Sequence, residues 1–267
     1  MEDLHVHSSF SDGIAPPEEV ARAAFALGLD RLGFTDHGYA PYDLDCCIPE
    51  SKVLAYQASV RALKAQYAGR MEILCGVEQD FYSPASTEGF DYVIGSVHYL
   101  LLGDEYVPVD YKDHFLLLAA RRYFDGDCLA LAEEYFRTAS QVVSQTHCDL
   151  IGHFDLICKL NGNGRLFDEQ SPRYIAAWQE AADQLLKTGV PFEINTGGMS
   201  RGYRQEPYPA SPILSYLAKH GASFVLTSDS HDPATLCYDF AVQEAAVRAL
   251  GAELIRFALP TKKRAKP

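Results

Sequence analysis

The sequence lacks the features of exported, membrane-spanning and disulfide-rich proteins. Its seven cysteines include no Cys-x-x-Cys pair, so the pattern predicts neither a disulfide framework nor a thiolate zinc motif. There is no N-terminal apolar leader and no run of eighteen apolar residues, which predicts neither export nor a membrane span. We therefore expect a cytoplasmic protein with reduced thiols.

Basic residues are also scarce. Lys and Arg number 23 against 36 Asp and Glu, which gives a formal net charge of −13. A nucleic-acid surface needs clustered cations, so we expect no nucleic-acid partner. A pocket for a small phosphorylated substrate remains compatible with this charge if metal ions line it, because bound cations reverse the local field. The basic residues at the end of the chain are interpreted as a tail, about residues 260–267.

Strand and helix patterns alternate along the chain. Short apolar runs predict strands at Asp3–His7, Arg31–Thr35, Glu72–Val77, Asp91–Val97, Asp149–Gly152, Pro191–Asn195 and Ser223–Thr227. Helical patterns lie between them, at Pro16–Leu27, Glu50–Tyr67, Cys128–Gln145, Pro172–Lys187, Ser211–His220 and Asp239–Leu250. No linker interrupts this order, so residues 1–267 are interpreted as a single α/β domain. An insertion at about residues 100–127 is interpreted as a lid or substrate loop.

Repeated strand–helix units predict parallel strands with right-handed crossovers. Such units can close into a barrel, and an open doubly wound sheet is the alternative. An open sheet concentrates its site at one switch point, whereas a barrel gathers functional residues from the carboxyl ends of many strands. The barrel is favoured because six of the nine histidines end successive predicted strands: His5, His7, His37, His98, His153 and His231.

Histidines and carboxylates at the strand ends predict a metal site. His5 and His7 lie two apart in a strand and therefore point to the same face. Carboxylates occupy matching places at Asp12, Glu78 and Asp229. Imidazole and carboxylate together suit Zn, Mn or Fe, and the set is large enough for two or three divalent ions. Three further acids near strand ends are open between ligand and supporting roles: Asp36, Asp80 and Asp155.

A glycine-rich loop with two arginines follows the sixth predicted strand. Arginine binds phosphate through two parallel hydrogen bonds, so Arg201 is expected to contact a phosphoryl group. Arg204 in the same loop, with Lys159 and Arg165 after the fifth strand, are further phosphate-binding candidates. Tyrosines and acids of the insertion are candidates for contact with a cationic or ring-bearing substrate.

These motifs resemble the PHP (polymerase and histidinol phosphatase) family. The matching motifs are His5-Val6-His7 with Asp12, Thr35-Asp36-His37, Gly76-Val77-Glu78, Gly95-Ser96-Val97-His98, Gly152-His153 and Ser228-Asp229-Ser230-His231. The resemblance implies a distorted (β/α)7 barrel with a trinuclear metal site at the carboxyl ends of the strands. It implies one ion held by His5, His7, Glu78 and Asp229, a second by Glu78, His98 and His153, and a third by Asp12, His37 and His231.

Within the family, Asn195–Arg201 and Glu206–Pro209 are similar to the histidinol-phosphate phosphatases. This implies a metal-dependent phosphomonoesterase that hydrolyses L-histidinol phosphate in histidine biosynthesis. In this hypothesis a metal-bridging hydroxide attacks phosphorus, Arg201 neutralises charge, and Asp229 or His231 is the candidate proton donor. The alternatives are a family phosphoesterase for nucleotides or oligonucleotide ends, an amidohydrolase-type hydrolase, and a non-catalytic metal-binding protein.

Overall fold

A computed structural model describes residues 1–260, so most of the predicted basic tail lies outside the described residues. The strands are β1 (Glu2–Val6), β2 (Arg31–Phe34), β3 (Glu72–Cys75), β4 (Val77–Asp80), β5 (Val93–Ser96), β6 (Tyr99–Leu102), β7 (Glu105–Pro108), β8 (Leu150–Ile151), β9 (Phe192–Asn195), β10 (Ser223–Thr227) and β11 (Glu253–Leu254). The helices are α1 (Pro17–Ala26), α2 (Val53–Gln66), α3 (Asp113–Tyr123), α4 (Cys128–Ala139), α5 (Val142–Thr146), α6 (Pro172–Leu186), α7 (Gly197–Ser200), α8 (Ser211–Lys219) and α9 (Phe240–Ala249).

The strands form two parallel sheets and one antiparallel hairpin. One sheet has the order β1-β2-β3, and the other has the order β11-β10-β9-β8-β5-β4. The hairpin pairs β6 with β7. The prediction of an α/β fold with parallel strands is therefore confirmed. Within residues 1–260 the hydrogen bonds between parallel strands form two open sheets. Two isolated parallel bridges join the carboxyl ends of these sheets: Val6 pairs with Ser230, and His37 pairs with Glu78.

The third predicted strand, Glu72–Val77, is wrong as a single strand. The chain changes sheets at Gly76, so that β3 belongs to one sheet and β4 to the other. A Cβ atom on Gly76 would lie 2.6 Å from the ring of Tyr92, whose hydroxyl donates to the carbonyl of Leu4 at 2.6 Å. The buried tyrosine thus occupies the space beside this crossing. As a result Glu78 lies inside β4 rather than after a strand.

Two longer segments also differ from the prediction. The insertion at residues 100–127 is largely regular, because it contains most of the β6–β7 hairpin and all of α3. The predicted helix Cys128–Gln145 is divided into α4 and α5. At the division the hydroxyl of Ser140 donates to the carbonyl of Arg137 at 2.7 Å, a local bond that competes with the helical ladder.

Apolar side chains from both sheets meet in one buried cluster, composed of Leu4, Leu74, Tyr92, Ile94, Leu150, Val225 and Phe257. Each fully buried aliphatic side chain of this size contributes about 1.5–3 kcal/mol relative to exposure. A larger core lies between the strands and the helices, where α1 buries Val20, Ala21 and Ala24. The carboxyl ends of the strands therefore rest on tightly packed apolar layers. Of the helices in residues 1–260, none combines the length and apolar character that a membrane span needs.

Candidate metal centre

The nine predicted metal ligands gather at the carboxyl ends of the strands. A cleft of about 220 Å³ opens there, lined by Asp12, His37, Glu78, His98, Asp110, His153, Leu156, Lys159, Arg201, Tyr203, Asp229 and His231. His5 and His7 are fully buried. The structure thus brings together residues from six different strand ends.

The first group consists of His5, His7, Glu78 and Asp229. Oε2 of Glu78 lies 3.3 Å from Nε2 of His5 and 3.5 Å from Nε2 of His7. Oδ1 of Asp229 lies 3.7 Å and 3.2 Å from the same two nitrogens. Neighbouring ligand atoms around a tetrahedral ion with bonds of 2.0–2.1 Å are about 3.3 Å apart. The spacing of the four side chains therefore fits a shared divalent cation.

The second group lies on the other oxygen of Glu78. Oε1 is 2.8 Å from Nε2 of His153 and 3.3 Å from Nε2 of His98. The hydroxyl of Ser96 donates to this oxygen at 2.6 Å and fixes the carboxylate plane. Glu78 consequently faces the first group with Oε2 and the second with Oε1, which is the placement expected of a ligand shared by two ions. Its Oε2 also lies 3.0 Å from Nδ1 of His37.

The third group surrounds Asp12 and is more exposed to solvent. Oδ2 of Asp12 lies 3.1 Å from Nε2 of His231 and 3.6 Å from Nε2 of His37. Its other oxygen lies 3.4 Å from Nδ1 of His7. The ligand atoms of these four residues all lie within 4.8 Å of one another, so they also fit one cation.

Several buried polar atoms of the centre have no hydrogen-bond partner among residues 1–260. They include Nε2 of His5, both ring nitrogens of His7 and Oε2 of Glu78. Leaving a buried polar atom unpaired costs about 1–3 kcal/mol. A divalent cation held between these nitrogens and oxygens removes that cost, so the residues fit metal ions. The identity and number of the ions remain predictions.

The charges within the centre shift its pKa values in opposite directions. Burial raises the pKa of Glu78, but the charges of His5, His98 and His37 outweigh burial and hold it well below the ordinary value. Burial lowers the pKa of His98, but Glu78 outweighs it and the pKa rises to about 10. These shifts stabilise carboxylate–imidazolium pairs, so protons compete with cations for the same atoms.

Two of the uncertain acids have supporting roles. Asp36 accepts hydrogen bonds from the amides and hydroxyls of Ser8 and Ser11 at 2.7–3.0 Å and so fixes the loop that carries Asp12. Oδ2 of Asp80 accepts from the amide of His98 at 2.8 Å. Both carboxylates therefore hold the chain beside ligand residues.

Another carboxylate of the centre was not predicted. Glu193 is buried in β9, and its Oε2 lies 2.8 Å from Nδ1 of His5. The sequence signal was a charge between two apolar residues, Phe192 and Ile194, in a predicted strand. Asp155, the third uncertain acid, instead accepts from the backbone amide of Ala210 at 3.0 Å, and burial raises its pKa to about 7.

Arg201 reaches the cleft and contacts the metal centre. Its Nη2 donates to Oδ2 of Asp229 at 2.9 Å, and its Nη1 donates to the carbonyl of Asp229 at 3.0 Å. Nη1 also lies 2.8 Å from Nδ1 of His231. Asp229 and His231 thus orient the guanidinium at the cleft wall.

Lys159 also lines the cleft, and its partner comes from the insertion. The ammonium donates to Oδ2 of Asp110 at 2.8 Å and lies 5.0 Å from the ring centre of Tyr203. Burial raises the pKa of Asp110, but Lys159 and His98 lower it to about 2. Asp110 therefore places a fixed negative charge in the cleft.

The other two basic candidates lie outside the lining of the cleft. The guanidinium of Arg204 donates to Glu169 at 3.1 Å and to Glu206 at 3.4 Å. Arg165 forms an ion pair with Asp113 at 2.7 Å. The structure therefore does not bring these two arginines to the place where Arg201 and Lys159 meet.

Comparison with known proteins gives matches over most of the chain. The PHP domain family model matches residues 3–197. The chain is 30% identical to a Deinococcus radiodurans protein named "Probable histidinol-phosphatase", over 96% of this chain and 95% of the relative. It is 23% identical to the histidinol-phosphatase of Bacillus subtilis, over 89% of this chain and 96% of the relative.

A similar fold occurs in a solved structure from Lactococcus lactis. That protein is a histidinol phosphate phosphatase in complex with zinc, L-histidinol and phosphate. The superposition has a TM-score of 0.71 and covers 97% of this chain and 96% of the other, with 22% sequence identity. The two chains therefore share their fold over nearly their whole length.

Proposed function

The chain belongs to the PHP domain family, and on this premise we propose that it is a metal-dependent phosphomonoesterase that hydrolyses L-histidinol phosphate to L-histidinol and phosphate in histidine biosynthesis. The observation that carries the proposal is the centre of histidines and carboxylates at one cleft beside Arg201 and Lys159. Relatives that the chain matches over most of both lengths are histidinol-phosphatases by name, which supports this substrate.

We propose that the two sheets are parts of one distorted seven-stranded barrel in a single domain, in which β3 and β4 count as one interrupted strand and β11 lies outside the ring. The isolated bridges at Val6–Ser230 and His37–Glu78 join the sheets on both sides. The buried cluster that includes Leu4 and Ile94 takes side chains from both sheets, as the interior of a barrel does. Closure of this kind supports a site assembled from many strand ends.

We assign two or three divalent ions, Zn, Mn or Fe, to the three groups of residues described above, on the distances between their ligand atoms. When bound, such ions offset charge on phosphoryl oxygens and increase the acidity of a coordinated water. Without cations the four carboxylates of the cleft are paired with Arg201, Lys159 and protonated histidines such as His98, so no coordinated ion is available to contact a phosphate dianion. Substrate binding is therefore expected to require the ions.

Arg201 is the strongest candidate for direct contact with the phosphoryl group. Two of its nitrogens are held by Asp229, and its buried Nε has no hydrogen-bond partner among residues 1–260. A guanidinium already held in place loses less conformational freedom when it binds an oxyanion. Lys159 supplies a second positive charge at the same cleft.

The predicted proton donors, Asp229 and His231, have other contacts in the structure. Both ring nitrogens of His231 are engaged, with Asp12 on one side and with Arg201 and a carbonyl on the other. Burial and the charge of His7 lower the pKa of His231. These contacts support roles in holding cations and Arg201 more than proton donation.

Asp110 provides a site for the cationic end of the substrate. L-Histidinol phosphate carries an ammonium group next to its phosphate ester, and Asp110 is an anion in the same cleft as Arg201. The position of Asp110 supports a cleft in which Arg201 contacts the phosphate and Asp110 contacts an ammonium group. A nucleoside monophosphate has no such ammonium group.

The test is phosphate release by purified, zinc- or manganese-loaded protein. We expect L-histidinol phosphate to be turned over at least tenfold more efficiently than a nucleoside monophosphate, and chelator to abolish activity. His5→Ala and Glu78→Ala are expected to remove activity, whereas Asp113→Asn, outside the cleft, is expected to keep it. A preference for the nucleotide, or full activity of the first two variants, would contradict the proposal.

A further inference from the structure

Glu193 is a buried carboxylate, and its position in the sheet determines which residues surround it. It lies in β9, between the parallel strands β8 and β10, and is 1% exposed. Burying an isolated carboxylate is unfavourable, so a carboxylate in this place needs hydrogen-bond donors. The structure provides donors from the carboxyl ends of four strands, β1, β8, β9 and β10.

Both oxygens of Glu193 are occupied by hydrogen-bond partners. Oε2 lies 2.8 Å from Nδ1 of His5 and accepts from the hydroxyl of Thr227 at 2.9 Å. Oε1 accepts from the side-chain amide of Asn195 at 2.9 Å and from the backbone amide of His153. An ionised carboxylate only accepts hydrogen bonds and has about four lone-pair sites. The four hydrogen bonds therefore satisfy the accepting capacity of an ionised Glu193.

This contact determines which nitrogen of His5 carries a proton. Because the carboxylate of Glu193 can only accept, Nδ1 of His5 must be the donor. The other nitrogen, Nε2, then points at Glu78 and Asp229, with no hydrogen-bond partner among the described residues. A carboxylate behind a histidine in this way fixes the tautomer and orientation of a metal-binding ring.

We propose that Glu193 is a positioning residue that prearranges the first and second groups of the metal centre and, within residues 1–260, makes no hydrogen bond to the third group. It holds the ring of His5 in the first group and the backbone of His153 in the second. Through Asn195, whose amide also lies 3.3 Å from Oδ2 of Asp229, it reaches a further residue of the first group. The contacts of Glu193 within residues 1–260 do not include Asp12.

Glu193→Gln is the informative substitution. Glutamine keeps the shape of glutamate, but an NH2 group replaces one of the two carboxylate oxygens. This NH2 group is a donor, and it would face hydrogen-bond donors that a glutamate oxygen accepts from in the wild type. Loss of a supporting partner of this kind typically weakens metal binding by about 10–100-fold. We expect two dissociation constants for zinc to rise by about this factor and a third to stay within about twofold.

Asp36→Asn is the matched comparison, because Asp36 is an equally buried carboxylate that supports the loop of Asp12. The Asp36→Asn substitution should weaken the binding of one zinc ion and leave the binding of the other two unchanged. Asp91→Asn is the neutral control, because Asp91 precedes the amino end of β5 and its Oδ2 accepts from the amide of Cys75, which is not a ligand residue. The measurement is a zinc titration against a chromophoric chelator, with metal per chain determined on the same samples.

Two outcomes would overturn the proposal. One is that the dissociation constants for zinc in Glu193→Gln equal those of the wild type. The other is that Glu193→Gln and Asp36→Asn weaken the binding of the same number of ions. If Glu193→Gln does not fold, the wild type still decides it. Long-range 1H–15N spectra of the zinc-loaded protein should show Nδ1 of His5 protonated and Nε2 bound to zinc, and the reverse pattern contradicts it. The inference rests on the metal centre of the proposed function, but neither readout uses the substrate. Failure of the proposed activity is therefore seen separately.

Discussion

Asp110→Asn should change the response of the enzyme to two substrates in different directions. L-Histidinol phosphate carries an ammonium group, whereas p-nitrophenyl phosphate does not. Asp110 is ionised at any working pH, since its pKa of about 2 lies below the ordinary value. The substitution removes this anion from the cleft and leaves the ammonium of Lys159 without its partner at 2.8 Å.

The size of the effect follows from the charges. Two unit charges 4 Å apart interact by about 4 kcal/mol at an effective dielectric constant of about 20. Lys159 and solvent already offset part of this attraction, because the side chain of Asp110 is 24% exposed. A loss of about 1–3 kcal/mol remains, or roughly 5–150-fold in kcat/KM for L-histidinol phosphate.

For p-nitrophenyl phosphate the freed Lys159 adds attraction for the phosphate dianion. We therefore expect kcat/KM to stay the same or to rise by a few fold. Asp113→Asn is the control, because Asp113 lies in the same insertion but pairs with exposed Arg165, and surface ion pairs contribute about 0–1 kcal/mol. Steady-state kinetics with both substrates measure the difference. An equal fall for both substrates would refute the assignment of the ammonium site.

The remaining predictions concern packing, thiols and metal. Gly76→Ala should lower the free energy of unfolding in urea by about 1–3 kcal/mol, because its Cβ would lie 2.6 Å from the ring of Tyr92. Gly162→Ala meets no atom within 4 Å and should change it by no more than about 0.5 kcal/mol. Burial raises the thiol pKa of Cys75 and Cys148 to about 12, so both stay protonated at pH 8. Mass spectrometry should show iodoacetamide labelling of them only after unfolding, and rapid labelling of the folded protein would contradict this. Chelation should lower the melting midpoint by about 8–16 °C if one site is filled at about a thousand times its Kd, and an unchanged midpoint would argue against bound ions.

Six strands were predictable because each is a short apolar run bounded by turn residues: β1, β2, β5, β8, β9 and β10. The hairpin strands β6 and β7 fall in or beside the segment that was interpreted as a loop. The division at Gly76 was not predictable, because the apolar run continues across it and Tyr92, the residue that occupies the space, belongs to another strand. The bridges that join the two sheets involve Ser230 and Glu78, whose partners lie far away in the chain. Local pattern predicts strand positions, whereas tertiary contacts decide where strands change neighbours.

The predicted ligands gather at one site because a parallel arrangement brings the ends of many strands together. The same reasoning did not separate the basic candidates. Lys159 and Arg165 lie in one connection, but only Lys159 lines the cleft, since Arg165 pairs with Asp113. Arg204 is likewise held by Glu169. The conformation of the loops decides which acidic side chain forms an ion pair with which basic side chain. The spacing of these residues along the sequence does not predict the pairs.

Glu193 shows why the supporting residues of such a centre escape pattern analysis. A ligand set has a recognisable spacing because several side chains must reach one ion, whereas a supporting carboxylate needs to reach a single nitrogen, here Nδ1 of His5. Its spacing from that partner is therefore free to vary. The remaining signal is energetic: a charge inside a strand covered on both faces is unfavourable unless donors surround it. An acid between Phe192 and Ile194 should accordingly be read as a partner of some buried donor, and the histidines of the neighbouring strand ends are the donors that the sequence itself offers.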